Sequence, residues 1–503
     1  MYIFTMPADR WNEADPDKLA VLHLIQKHVS FVPHLQKLKN YYEGRHEILG
    51  DKDRENKLVC NHAKDISDTA TAYFIGEPVS YKSPDTDLAT LADDLREAGA
   101  DEADGDNGLD LSIYGRAYEY IYTKHDETYL QIKNLSPENT FMVYDDSIEQ
   151  NELFAVYYYV RKDDTDMSGV VHYIATLLTQ NFRWVYDICE IPADSSVLEG
   201  PDPHYKGEVP IIEYLNNKLA IGDYELQIPL IDAYNALMSD RITDKEQFID
   251  AILAIYGTLL SDEDYEEEGD GKGSEKAMKR LRKQKLLELP GDGNVKAEYL
   301  TRTFDEAGVE ILKKAIEQDI HKFSHIPCMT DEAFGGNVSG VAMEFKLLGM
   351  ENITKIKTRY YRKGLRKRLR IFCNFLTTSS RGNIDPKSIT AIFTRAMPRN
   401  LLEISQYVAN LKGTVSQKTL LSQIPFVEDP DEEMKAVEKE AEEAVKRQQE
   451  LFREQGMENT PPEDQNQSDS DGQEDADTQE STEDKQERRP FPSGFVEDED
   501  DGK

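Results

Sequence analysis

SGVAMEFKLLGMENITKIKTRYYRKGLRKRLRIFCNFL, residues 339–376, is the stretch that decides how the chain is read. It holds no proline, and none follows until Pro386. Val341, Phe345, Leu348, Ile353, Ile356, Tyr360, Leu365, Leu369, Phe372 and Leu376 recur at steps of three to five and keep one drifting face. That spacing predicts a single long helix. Gly349 and Gly364 are the expected places for a bend. The second half, KIKTRYYRKGLRKRLR at 355–370, has nine Lys or Arg in 16 residues and no acid. The whole chain of 503 residues carries a formal charge of -38. Such segregation of cations has three readings, which the residues alone leave open. They are contact with phosphates, pairing with an acidic surface of a neighbouring subunit or element, or a solvated helix face.

Reading backwards, Pro327 and the glycine-bearing stretch CMTDEAFGGNVSG (328–340) precede this helix. Before them, Thr303 and Glu306 form a capping box, followed by a stripe of Val309, Leu312, Ile316, Ile320 and Phe323. Another helix is predicted from about Leu226 to Tyr256. Pro229 lies in its first turn, Ile231, Tyr234, Met238, Phe248, Ile252 and Ile255 form its stripe, and Gly257 ends it. Between the two lie an acidic excursion at 261–276, the basic AMKRLRKQK, and LLELP and VKAEYLT as strands. Two helices bracketing a small subdomain imply an antiparallel stalk with a compact tip.

Farther out, helices are expected over 16–44, with a break at Pro33, and over 61–75 and 87–99. From Ile113 to Ile188 the period shortens. IYGRAYEYIYT, YLQIKNL, TFMVYDD, LFAVYYYV, VVHYIATLL and FRWVYDI are short and rich in β-branched and aromatic residues, as antiparallel strands are. VPIIEYLNN from Val209 closes this block, and 389–394 reads as one more strand. Helices at 399–411, 416–423 and 430–453 follow. Residues 456–503 carry 17 acids and four bases with two Phe, which predicts disorder. The fold class is therefore α+β.

Several chemistries are excluded. The nearest approach to a phosphate loop, GDGKGS at 269–274, has Glu266 and Gly273 where Gly and Ser/Thr are required, so it predicts no ATPase. His321 and His325 stand four apart with Cys328 nearby, but the Glu of a zinc protease is missing, and a packing or helix-end role is expected. Asp104 and Asp106 resemble a calcium loop, but Gly108 occupies a ligand position, leaving an acidic turn. Cys60, Cys189, Cys328 and Cys373 form no CxxC pair and read as reduced thiols. No local pattern marks a nucleophile. We expect no catalytic residue, no metal and no cofactor. MYIFTMPADRWNEADPDK lacks a signal-peptide pattern, and the longest apolar run, 251–260, is too short to span a bilayer. A soluble protein made inside the cell, with no membrane partner, is expected.

The order of these elements resembles the portal, or head–tail connector, family of tailed bacteriophages, in the branch of long-tailed phages of Gram-positive bacteria. YYEGRHEIL, YFIGEPVSY, GRAYEYIY, SPENTFMVYDD, VPIIEYLNN, NVSGVAMEFKL and IPFVEDPDEE carry the likeness over residues 35–450. The resemblance implies a subunit of a dodecameric ring with the following parts: a wing (1–225, with a return strand at 386–395), a stem (226–258 and 303–325) and a clip (259–302). It further implies a tunnel loop (326–338), a tunnel helix (339–377), a crown (396–455) and an acidic tail (456–503). By the same resemblance Asp331, Glu332, Phe334, Gly335, Gly336, Asn337, Val338 and Ser339 would face DNA. Lys355, Lys357, Arg359, Arg362, Lys363, Arg366 and Lys367 are candidates for DNA or inter-subunit contacts. The implied partners are further copies of the chain, duplex DNA, the terminase large subunit, a head-completion protein, and the capsid and scaffolding proteins. The implied place is the capsid vertex of the virion, after assembly in the bacterial cytoplasm. Two other readings stand beside it: a cytoplasmic scaffold with an acidic interaction tail, and a nucleic-acid enzyme of the packaging system.

Overall fold

The computed structural model describes residues 3–84, 86–124, 127–161, 170–191, 194–249, 252–256, 286–289, 296–300, 306–328, 340–395, 401–422, 424, 427 and 430–457. The chain divides into two units, Met1–Glu403 and Ile404–Lys503.

The first unit is layered. A six-stranded sheet runs in the order β1 (Phe4–Thr5), β5 (Thr140–Tyr144), β6 (Glu152–Val160), β7 (Tyr173–Leu178), β8 (Phe182–Ile188) and β9 (Ser196–Pro203). All its pairs are antiparallel except β1 with β5. Strand alternation gives this sheet two apolar faces. Phe141, Val143, Phe154, Val156 and Tyr158 meet Val21, Leu22 and Ile25 of helix α1 (Lys18–Val29). Met142, Ala155 and Leu178 point the other way, against Tyr118 and Ile211 of a second sheet. That second sheet is β10 (Ile211–Leu215), β3 (Arg116–Thr123) and β4 (Leu130–Leu135), with β3 central and both pairs antiparallel. Its far face carries Ala117, Ile121, Ile132, Ile212 and Tyr214, which join a core shared with α3 (His62–Ile75), α4 (Ala89–Glu97), α5 (Ala100–Tyr114) and α8 (Gly340–Thr378). A short pair, β2 (Ser80–Lys82) with β14 (Thr390–Ile392), brings the chain after α8 back against this layer.

A further core gathers Leu35, Leu38 and Tyr41 of α2 (Val32–Tyr42) with Ile228, Ile231 and Tyr234 of α6 (Ile228–Ile249), Ile320 of α7 (Glu306–Ser324) and Leu347 and Met350 of α8. α6 and α7 are antiparallel: Arg241 donates to Glu310 at 2.8 Å and Lys245 lies 2.9 Å from Glu306. Between them in sequence stands a small sheet in the order β12 (Leu286–Leu289), β11 (Ile252–Tyr256), β13 (Lys296–Leu300). The second unit contains α9 (Leu401–Leu411, which begins at the boundary), α10 (Gln417–Leu421) and α11 (Pro430–Met457). The mixed architecture agrees with the α+β class.

Four expectations change. Ile252–Tyr256 is a strand and α6 ends at Ile249, because a five-residue apolar run suits either state and here has strand partners on both sides. DEADGDNGLDLS is neither a turn nor a metal loop but most of α5, bounded by Gly99 and Gly115, both left-handed. Its glycines and aspartates hide the helix locally. Gly108 permits close packing, since a Cβ there would lie 2.6 Å from Ile75. α8 is unbroken, and Gly364 serves close approach, since a Cβ at that position would overlap the Tyr214 ring. β9 is a strand that the sequence does not announce: it is exposed along its whole length and so lacks the apolar alternation that marks a strand.

Candidate functional site: the charges of the long helix

α8 lies along β10, and its register sorts the cations of 355–370 between inside and outside. Arg368 is fully buried. Its Nε donates to Glu119 Oε1 at 2.9 Å and its Nη2 to Asp104 Oδ1 at 2.6 Å, and Nη2 also reaches Glu119 Oε2. The Tyr361 hydroxyl donates to Asp104 at 2.5 Å, and Asn107 and the Tyr214 hydroxyl donate to Glu119 at 2.8 and 3.2 Å. The Tyr214 and Tyr361 rings stack 4.5 Å apart beside Gly364. Burial by itself would lower the Arg368 pKa. The carboxylates of Asp104 and Glu119 outweigh it and hold the guanidinium well above its usual value. One cation facing two carboxylates, each with further donors, is the arrangement in which a buried charge is tolerated.

Lys357 is buried and donates to Asp223 Oδ2 at 2.7 Å, with Phe74 beneath its ammonium. Lys367 is buried, donates to the Ile211 carbonyl at 2.8 Å and pairs with Glu152. Desolvation lowers the Lys367 pKa, and Glu152 opposes that shift. Both residues are thus buried and paired with carboxylates of their own chain. Lys355, Arg359, Arg362, Lys363 and Arg366 stay exposed. Lys355 lies 3.5 Å from Glu351 and Arg362 sits over Phe393. Lys363, Arg366 and Arg370 wall a shallow groove that also contains Tyr144, Glu152 and Glu213, and Arg370 pairs with Glu208. The carboxylates that pair with Lys357, Lys367 and Arg368 come from residues 104–223. Their place opposite the helix follows from long-range packing.

Asp331, Glu332, Phe334, Gly335, Gly336, Asn337, Val338 and Ser339 lie outside the described residues, as do most of 257–305 and all of 458–503. His321 is buried at the end of α7, its Nδ1 3.0 Å from the Ile326 carbonyl. That contact belongs to a helix end. Among the described residues no group of three His, Cys, Asp or Glu is placed to hold a metal, and no helix is long and apolar enough to cross a membrane.

The described residues thus form a layered α+β unit with an antiparallel helix pair, a small sheet between the two in sequence and a longer helix after them. The family model described as phage portal protein, SPP1 Gp6-like, matches residues 22–447, and the chain belongs to that family. It is similar to the portal protein of Bacillus phage SPP1, with 26% identity over 85% of each chain. It is also similar to the portal protein of Clostridium phage phiCD119, with 21% identity over 78% of this chain and 89% of that one.

Proposed function

We propose that this portal protein forms one subunit of a ring, dodecameric as in the resemblance, at a capsid vertex of the virion, and that DNA enters and leaves through its channel. In this reading the layered block up to about residue 225 is the wing. α6 and α7 are the stem, and the β12-β11-β13 sheet belongs to the clip that docks the terminase and a head-completion protein. Residues 326–338 are the tunnel loop, α8 is the tunnel helix, and the helices after 396 form the crown. The portal is a passive, gated conduit: the terminase ATPase supplies the work, and the portal anchors it and guides the duplex. Residues 1–455 carry -25, and an acidic wall weakens phosphate binding and so reduces drag on moving DNA.

The observation that carries this reading is the antiparallel α6–α7 pair with the small sheet between the two helices in sequence, followed by the long α8. Negative-stain microscopy of the purified chain tests it. Annular particles are expected, and a compact monomer at every concentration would remove the reading. The packaging-enzyme alternative is checked separately by nuclease and ATPase assays, for which no activity is expected.

A further inference from the structure

The outward faces of two helices carry opposite surpluses of charge. On α8 the inward cations are matched within the chain: Lys357 by Asp223, Lys367 by Glu152, and Arg368 by Asp104 and Glu119. Arg359, Lys363 and Arg366 point outward and remain exposed. On α5 the inward Asp104 is matched by Arg368, whereas Glu102 and Asp106 are exposed. Half a turn round from Gly108, which faces Ile75 of α3, Asp106 and the half-buried Asp110 look away from the helix layer. Asn134 of β4 donates to Asp110 at 3.0 Å, which fixes that side of α5 at the β4 edge. α8 instead lies along β10, at the other edge of the same three-stranded sheet. One subunit thus presents cations at one edge of a layer and acids at the opposite edge.

We propose that the outer side of α8 in one copy seats against the outer side of α5 in the next. This rests on the ring reading and specifies which surfaces meet. Two different complementary patches at opposite edges make a head-to-tail contact, and repeating it by rotation closes a ring. The spacing fits. Arg359 and Lys363 are four residues apart on one helix, and Glu102 and Asp106 are four apart on the other, so two helices side by side can pair both ends at once. Electrostatic matching of this kind also sets register and speeds encounter between subunits that otherwise repel through their net charge of -38. A second copy is favoured as the occupant because α5 itself presents exposed acids, Glu102 and Asp106, at the same four-residue spacing as the exposed α8 cations.

The test uses the full chain and follows assembly by sedimentation velocity. Arg359→Glu with Lys363→Glu, and separately Glu102→Lys with Asp106→Lys, are each expected to need roughly tenfold more protein to assemble than the unaltered chain. All four changes together restore a complementary pair and are expected to recover assembly. Thermal unfolding of each variant checks that these exposed changes leave the subunit folded. As a second measurement, Lys363→Cys combined with Asp106→Cys is expected to give a covalent ladder on oxidation, and either change alone is not. The proposal is overturned if either reversed pair assembles as readily as the unaltered chain, if the fourfold variant does no better than the pairs, or if assembled double-cysteine rings give no ladder. Loss of DNA retention in rings that still form would likewise overturn it and assign the stripe to DNA. An unaltered chain that stays monomeric at low and high salt instead removes the ring reading itself, before any variant is made.

Discussion

Arg368 shows how much one buried side chain can organise. It ties α8 to α5 and β3 through Asp104 and Glu119, residues far away in sequence. Replacing it by Met leaves two carboxylates buried without their cation, a change that costs about 3–5 kcal/mol when one partner of a buried pair is removed. Denaturant unfolding of Arg368→Met against the unaltered chain measures this, and a loss under about 1 kcal/mol would show that the cluster relaxes or hydrates. Asp110 gives a second outcome at this scale. Burial, then the like charges of Asp106 and Glu138, push its carboxyl up to about 7, against the hydrogen bond from Asn134. A carboxyl whose pKa is raised on folding binds its proton more tightly in the folded state. Stability is therefore expected to fall as pH rises from about 4 to about 7. In Asp110→Asn that part of the slope should disappear, as read from unfolding midpoints across the window.

Among the elements, α8 against β10 is the contact most sensitive to size. A Cβ on Gly364 would overlap the Tyr214 ring, which is itself fully buried and stacked on Tyr361. Gly364→Ala is expected to destabilise the subunit by about 1–3 kcal/mol through overpacking, although alanine is the better helix former. A stabilised Gly364→Ala protein in thermal unfolding would mean that the ring moves aside at little cost. The same glycine, read from sequence as a bend, illustrates the limit of local rules: a helical glycine marks either a kink or a close neighbour, and only the neighbour's position tells which. α5 makes the converse point. Its sequence of aspartates and glycines argues for a turn, yet Ala103, Asn107 and Leu111 are buried on one side and tertiary packing overrides weak propensity.

For the whole molecule, the proposed tunnel loop can be tested without disturbing the folded layers. Gly335→Ala with Gly336→Ala is expected to leave ring assembly unchanged and to reduce DNA packaging or retention, measured as protected genome per particle. Normal packaging with normal retention would count against a role for this loop. In a closed ring each loop recurs in every subunit, so a small change per copy is multiplied around the channel.

Composition and period alone determined the α+β class, the strand-rich block from Ile113 to Ile188, the paired helices and the 38-residue stretch that became α8, because each of these is a local repeat of apolar residues with a characteristic spacing. The order of elements suggests the portal family, to which the chain belongs. What only the tertiary structure decided is the fate of the charges between Lys355 and Arg370. A nine-cation run looks uniform in sequence, yet its helical register buries Lys357, Lys367 and Arg368 against acids from distant segments and leaves Arg359, Lys363 and Arg366 outside. The physical reason is that the energy of a buried charge depends on its partner, and the partner is brought there by the fold.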